Sequence, residues 1–288
     1  MVGKAPLERS EYAEAIGGIL GAANSHERLR KYLLANSNLP GPRANLGLAN
    51  AFADAVGVLA RSKPRDAWEL CLSMCAVSAK EAPSNSRGEF LSLCGTVALG
   101  SLGVLAAKGP SPISSAQVLA ELKRRSHDER WRTREAVAIA IQRMLAELGG
   151  SFADELTGWI SDEDWLQMQA VVVGVAEPPL LKRDRSLAET ALALHKSVIS
   201  RAQKAEDRKS SEFKVLRQAL GFTLSVVVAE IGGEGFEYMR ELASTNDDDL
   251  TWVLKENLKK DRLKSSFPKE VAGLEDAIQK EGQAAVKD

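Results

Sequence analysis

Residues 128–145 read DERWRTREAVAIAIQRML, and this stretch decides the fold. It opens with an acidic cluster that ends at Trp131, and small apolar residues follow at steps of three and four. That spacing predicts an amphipathic α-helix with one buried stripe. Two further stretches open in the same way, because DEDW at 162–165 and DDDL at 247–250 also run from acidic residues into a large apolar residue and a helical pattern.

Large apolar residues recur at the start of helical segments along most of the chain. RGEF at 87–90 and SEF at 211–213 keep the aromatic residue without the whole acidic run. Spacing near 40 residues in a helical chain is typical of stacked helix pairs. We therefore predict an all-α protein, an α-α superhelix (solenoid) of helical repeats. The anchor residues, separated by 41, 34, 48 and 37 positions, are Phe90, Trp131, Trp165, Phe213 and Leu250.

The organisation that we expect is one solenoid domain over 1–288. Capping helices would occupy 1–42, the repeats 43–263, and a cap with a frayed tail 264–288. The loop at 82–88 (APSNSRG) and the two prolines at 178–179 are the best candidate breaks. We predict no strand, because the flanks of the two valine runs, at 171–173 and 226–228, keep a period near 3.6.

Composition excludes several classes of protein. Lys plus Arg is 38 and Asp plus Glu is 39, so the net charge of −1 gives no global argument for nucleic acid. Hydrophobic residues at 44% fit an ordered soluble protein. The N-terminus lacks the pattern of a signal peptide, and the apolar stretches near 94–107 and 219–229 look too short or too broken to span a bilayer. We therefore expect a cytoplasmic protein with no membrane partner.

Signatures of catalysis and of cofactor binding are missing from the sequence. No phosphate-binding loop, zinc-protease helix or nucleophile elbow is present, and we predict neither a cofactor nor a metal site. The glycine cluster at 232–235 fits a turn between helices better than a nucleotide loop. The three histidines are scattered, and the three cysteines fit buried small hydrophobic residues better than zinc ligands. These cysteines are Cys71, Cys75 and Cys94.

The stretch at 128–145 resembles the second helix of a HEAT repeat. In that family an acidic residue, a bulky apolar residue and basic residues precede small apolar positions, as in Asp128, Trp131, Arg132 and Arg134 here. The closing stretch at 247–263 is similar to the terminal repeat of bacterial HEAT-like proteins. Some of those are relatives of the DNA alkylation repair glycosylases. The resemblance covers roughly 43–263 and implies a fold rather than a function.

The resemblance to the repair family implies a second set of candidate residues. In that family an aromatic cleft with a carboxylate holds a modified nucleotide, because aromatic faces attract cationic alkylated bases. Asp164, Trp165 and Trp252 are the corresponding candidates for catalysis here. Trp131 and Trp165 also occupy anchor positions, where core packing between helices is the favoured interpretation.

Basic residues recur once per predicted repeat and are the candidates for binding a partner. A stripe of such residues could contact phosphates, as could a single basic helix. The alternative, which we favour, is that they are solvated helix ends paired with nearby carboxylates. The candidate binding residues are Arg130, Arg132, Arg134, Lys255, Lys259 and Lys260.

Two functions of different classes follow from these patterns. The first is a non-enzymatic scaffold or adaptor that binds a protein partner on its concave face. It predicts mixed or acidic charge on that face and buried tryptophans. The second is a protein that binds duplex DNA, related to alkylation repair or excising alkylated bases. It predicts convergent cations around an exposed tryptophan and a carboxylate. A third, weaker option is a subunit that is stable only within a larger assembly.

Overall fold

A computed structural model of the protein describes residues 9–21, 25–161 and 164–284. Within these ranges the regular secondary structure is α-helix and no strand occurs, so the predicted all-α class is confirmed. The valine runs at 171–173 and 226–228 lie within helices, as their flanking periodicity indicated.

Contacts between residues divide the chain into two compact units, Met1–Leu148 and Gly149–Asp288. The described helices of the first unit are α1 (Arg9–Leu20), α2 (Ser25–Ala35), α3 (Leu46–Ser62), α4 (Pro64–Cys75), α5 (Glu89–Lys108), α6 (Ser115–Ser126) and α7 (Trp131–Leu148). Those of the second unit are α8 (Gly150–Glu155), α9 (Thr157–Ser161), α10 (Trp165–Val175), α11 (Pro178–Arg183), α12 (Arg185–Gln203), α13 (Ser211–Ile231), α14 (Gly233–Ala243), α15 (Asp248–Leu258), α16 (Asp261–Lys264) and α17 (Pro268–Ala284).

The division into units falls between Leu148 and Gly149 rather than at either of the expected breaks, 82–88 and 178–179. Gly149 has a positive φ of 60°, a conformation that glycine adopts without steric cost. The single domain over 1–288, with its caps and its repeats at 43–263, stays a prediction.

The first unit is built from helices in two layers. Helices α1, α3, α5 and α7 pack side by side in chain order. Helix α4 contacts both α3 and α5, and α6 contacts both α5 and α7, so these two helices form the other layer. Because short connections join antiparallel neighbours, α3, α5 and α7 run in the same direction.

The second unit repeats this packing around α13. Helix α13 contacts α10 and α15, which lie on either side of it in the same layer. Helix α12 contacts both α10 and α13, and α14 contacts both α13 and α15. The short helices α8, α9, α11 and α16 fill the connections between these longer ones.

Helix α5 lies at the centre of the first unit, and its glycines allow that position. A Cβ added at Gly100 would lie 2.7 Å from the carbonyl oxygen of Ala140 in α7. A Cβ added at Gly95 would lie 2.9 Å from the carbonyl oxygen of Cys71 in α4. Both neighbours therefore approach the backbone of α5 closely, which is possible because glycine lacks a side chain.

Helix α5 includes the apolar stretch at 94–107, which the sequence analysis predicts to be too short or too broken to span a bilayer. Among the described helices, α5 is long and apolar enough to cross a bilayer by length and composition. Of its most apolar 18-residue window, 78% is buried against other helices. Such burial is typical of the central helix of a helical core.

Side-chain caps set several helix ends. Ser114 and Gln117 form a reciprocal capping box at the start of α6. The turn expected at the glycine cluster is present, because Gly232 has a φ of 74° between α13 and α14. Ser161 ends α9, and Asp164 itself is the N-cap of α10.

The predicted anchor residues do not occupy equivalent environments. Phe90, Phe213 and Leu250 are buried, and Trp165 is partly buried against Phe213. Trp131, however, is 48% exposed, so the expectation that it packs between helices is wrong. The buried residue at the start of α7 is its neighbour Arg132.

Candidate functional site

A groove of about 500 Å³ crosses the first unit where α3, α5 and α7 lie side by side. We call it the α3/α5/α7 groove. It lies within one layer of helices, and the first residue of α1 also contributes to it. Its lining residues are Arg9, Asp54, Gly57, Val58, Arg61, Ser101, Val104, Leu105, Lys108, Arg143, Ala146 and Glu147.

The residues that line the groove occupy matching positions on α3, α5 and α7. The lining positions on α3 are 54, 57, 58 and 61, and those on α5 lie 47 residues later, at 101, 104, 105 and 108. On α7 the positions 143, 146 and 147 lie a further 42 residues on. Steps of three and four keep residues on one helix face. Each helix thus contributes the same face. Residues at matching positions, such as Asp54, Ser101 and Arg143, form rows that run across the helices.

Its first row is polar and internally hydrogen-bonded. Arg143 pairs with Asp54, and it donates to Ser101 Oγ at 3.1 Å and to Asn50 Oδ1 at 2.9 Å. Arg9 pairs with the other carboxylate oxygen of Asp54. Partial burial alone would raise the pKa of Asp54, but hydrogen bonds and charge from Arg143 and Arg9 outweigh it and lower the pKa. The row is therefore a stable ionic link between α1, α3, α5 and α7.

The middle rows are small or apolar on α3 and α5, with Glu147 at their α7 end, and the last row is cationic. Val58, on α3, is 66% exposed. Val104 and Leu105 continue this apolar strip across α5. Arg61 and Lys108 follow in the last turns of α3 and α5. An apolar strip beside cations can hold a ligand that carries both apolar and acidic groups.

Arg130, a candidate binding residue, is buried and paired within the chain. It is 1% exposed, and its guanidinium group pairs with Asp128 at 2.7 Å. It also donates to the carbonyl oxygens of Val77 at 2.9 Å and Ala82 at 3.1 Å. The charge is needed to hold the loop after α4, so it is unavailable to an external phosphate.

Arg132 and Arg134 are used within the chain in the same way. Buried Arg132 pairs with the fully buried Glu89 at 3.2 Å and donates to the carbonyl oxygen of Gly41 at 2.9 Å. Its guanidinium carbon lies 4.4 Å from the ring centroid of Trp131. Arg134 donates to the carbonyl oxygen of Asp128 at 2.7 Å. Helix α7 thus begins with a structural clamp rather than with a basic stripe.

Asp164, a catalytic candidate, is the N-cap of α10. Its Oδ1 accepts hydrogen bonds from the backbone N–H groups of Leu166 and Gln167, both at 3.0 Å. Its Oδ2 accepts from Gln167 Nε2 at 3.2 Å. These bonds stabilise the helix end, and they account for the carboxylate without a substrate.

Trp165 lines the second notable groove, of about 790 Å³. Its ring meets Phe213 edge-on, with 5.5 Å between centroids. Helix α12 contributes Lys196 and Arg201 to the lining, and its C-cap residue Lys204 lines the groove too. Lys196 also lies 3.8 Å from Glu234. This groove, which we call the α12 groove, combines an aromatic ring with cations, although carboxylates also lie nearby.

Trp252 lies in a different groove from Trp165. Arg217 covers one face of its ring at 4.2 Å from the centroid, and a Cβ added at Gly221 would lie 3.0 Å from the indole. Phe213 and Gly221 are eight residues apart on α13, which is about 12 Å along the helix. The two candidate tryptophans therefore contact α13 about two turns apart and do not form one cleft.

Two of the candidate lysines of α15 line the same groove as Trp252. This groove lies between α15 and α17, has a volume of about 510 Å³ and includes Lys255 and Lys259. Glu256 and Glu275 line it too, and Lys259 pairs with Glu256. Lys260 is the N-cap residue of α16 and does not line it. The charge there is mixed rather than basic.

The three cysteines and His195 are buried in the core. Cys71, Cys75 and Cys94 are buried free thiols, as their spacing indicated, and burial raises the pKa of Cys75 to about 12. Burial also lowers the pKa of His195 to about 4. Its ring nitrogens lie 2.8 Å from the carbonyl oxygen of Ala191 and 3.0 Å from Thr223 Oγ1. At neutral pH these groups are an uncharged part of the core.

Across the part of the chain that the structure describes, no group of three or more His, Cys, Asp or Glu residues could hold a metal ion.

Sequence reasoning missed the α3/α5/α7 groove. The shared steps at 54–61 and 101–108 are visible in the sequence, but the residue types at matching positions differ. Asp54 matches Ser101, and Gly57 matches Val104, so no motif recurs. The offset of 47 becomes evident only from the contacts between α3 and α5.

Comparisons with known proteins do not assign this chain to a family. No protein-family model matches the sequence. No curated protein matches it, and no solved structure matches its fold.

Proposed function

We propose that the protein is a non-enzymatic scaffold or adaptor of HEAT-like helical repeats, and that it binds a protein partner in the α3/α5/α7 groove. The observation that carries the proposal is the constant register of three helices around an exposed apolar strip. Consecutive helix pairs that present matching faces at offsets of 47 and 42 residues are what a solenoid of irregular repeats would produce. The proposed location is the cytoplasm.

The charge pattern supports a protein partner over a nucleic acid. Four cations and two carboxylates line the groove, and Asp54 already pairs with Arg9 and Arg143. A surface for phosphates would present cations without neighbouring carboxylates. Mixed charge beside apolar side chains is typical of protein interfaces.

The test is capture of a partner by the full chain and by two matched variants. Val58→Asp places a charge in the centre of the groove, where Val58 is 66% exposed, so the fold is preserved. Phe222→Asp makes the same kind of change at another exposed apolar residue, outside the groove. We expect proteins captured from the native extract to be lost with Val58→Asp and kept with Phe222→Asp. Equal capture by both variants would remove the proposal.

A second function, binding of duplex DNA, is favoured by one observation. The α12 groove combines Trp165 with Lys196, Arg201 and Lys204. Base-stacking rings and cations are the elements of nucleic-acid binding. Steeply salt-dependent binding of duplex DNA, weakened by Lys204→Glu, would support this alternative, and no binding at low salt would exclude it. If DNA binds, release of a methylated base and its loss in Asp164→Asn would test excision.

A further inference from the structure

The α3/α5/α7 groove has an excess of positive charge at one side of its apolar strip. Lys108 pairs with Glu147, but both side chains are about half exposed, so the pair is weak and a partner carboxylate could replace Glu147. Arg61 is exposed and has no ion-pair partner among the described residues. The cationic row therefore has capacity for external carboxylates.

The apolar residues placed beside the cations, more than the cations themselves, indicate a ligand. Cations in the last turn of a helix are stabilised by the helix dipole without any ligand, which applies to both Arg61 and Lys108. What the dipole does not explain is Val58, which is 66% exposed three residues before Arg61. Leu105 stands in the same relation to Lys108 on α5. Helices α3 and α5 therefore both offer an apolar position followed by a cation.

We infer that the α3/α5/α7 groove takes a short acidic protein segment, with its apolar side chains over Val58 and Leu105 and its carboxylates beside Arg61 and Lys108. This inference rests on the proposed function and names the chemistry of the partner. Three packed helices span roughly 20 Å. An extended segment of about six residues has that length.

Nucleic acid fits this groove less well than an acidic segment. Among the residues that the structure describes, no aromatic side chain lines the groove, so bases have no ring to stack on there. Asp54 and Glu147 face it, and they would repel a phosphate backbone. A peptide satisfies both features, because it can place apolar groups and carboxylates at separate points.

The experiment selects random peptides displayed on phage against the immobilised full chain. We expect enriched peptides to combine Asp or Glu with Leu, Ile, Val or Phe. Synthetic copies should bind the double variant Arg61→Glu, Lys108→Glu at least about tenfold more weakly than the unchanged chain. Arg65→Glu, an exposed cation on α4, is the matched control and should leave the affinity unchanged.

The outcomes separate this inference from the proposed function. Enriched peptides that are basic or uncharged, yet lose binding with Val58→Asp, would overturn the acidic partner and leave the scaffold site intact. Peptides that bind Val58→Asp as well as the unchanged chain would overturn both. Binding of a duplex or single-stranded DNA probe that depends on Arg61 would overturn the inference and point to phosphates.

Discussion

Gly100 of α5 lies directly against Ala140 of α7, because a methyl group added at Gly100 would lie 2.7 Å from the carbonyl oxygen of Ala140. The obstacle is backbone, so it cannot move aside as a flexible side chain could. This contact fixes how closely the two central helices of the first unit approach. It also keeps their groove-lining faces in register, because Ser101 and Arg143, which hydrogen-bond across the helices, are close by in sequence.

Replacing this glycine should therefore destabilise the first unit. We expect Gly100→Ala to lower the free energy of unfolding by about 1–3 kcal/mol, the usual cost of overpacking. Gly17→Ala is the control, since Gly17 lies within α1 and a Cβ there meets nothing within 4 Å. That control should be neutral or stabilising by up to about 1 kcal/mol. Urea denaturation measures both, and a stable Gly100→Ala would show that α5 and α7 can separate.

The buried clamp at Arg130 should be a major source of stability. Arg130→Met leaves Asp128 and the carbonyl oxygens of Val77 and Ala82 without their donor. Losing one partner of a buried pair costs about 3–5 kcal/mol. Arg65→Ala, at an exposed arginine of α4, should change stability by less than about 0.5 kcal/mol. Thermal unfolding monitored by circular dichroism checks this, and similar melting temperatures for both variants would contradict a structural role.

Phe90 and Trp131 are equivalent anchor residues in the sequence pattern. Their replacement by alanine should nevertheless lower the free energy of unfolding by different amounts. Phe90 is fully buried, so Phe90→Ala should cost about 3–5 kcal/mol. Trp131 is 48% exposed and stacks mainly with Arg132, so Trp131→Ala should cost about 1 kcal/mol or less. Chemical denaturation compares them directly. Equal large losses would restore Trp131 as a core anchor.

Acid should destabilise the second unit through His195. Its pKa in the folded chain, about 4, is below the ordinary 6.5, so the unfolded chain takes up the proton first. The contribution of neutral His195 is complete above about pH 6.5 and is lost as the pH falls towards 4. Between pH 7 and pH 5 the loss should be about 2 kcal/mol. Denaturation at both pH values measures it.

The matched variant for this prediction is His195→Gln, which cannot take up a proton near neutral pH. It should be less stable than the unchanged chain at pH 7, because the packing around the ring is lost. Its stability should nevertheless change less between pH 7 and pH 5. If both proteins lose the same amount, the acid sensitivity arises from other groups.

Local features of the fold were predictable because they depend on neighbouring residues. The steps of three and four in 128–145 define α7. The buried valines of α10 and α13 also followed from periodicity. Each of these signals spans a few helical turns, within which side-chain direction follows from the helix geometry.

Burial of charge was not predictable in this way. Arg130 and Arg132 look like surface cations in the sequence, and their burial depends on acceptors 43 to 91 positions away, at Gly41, Val77, Ala82 and Glu89. A buried guanidinium group requires such partners, and sequence spacing does not reveal them. The same holds for Trp131, which is exposed because its neighbour Arg132 occupies the buried position.

By itself, the sequence determined that this protein is helical and that its cysteines are buried. Only the tertiary structure decided that α3, α5 and α7 present matching faces at offsets of 47 and 42 residues. The physical reason is that helix formation depends on hydrogen bonds four residues apart, whereas lateral register depends on contacts such as Gly100 against Ala140. Those contacts place Val58 beside Leu105 and so create the groove.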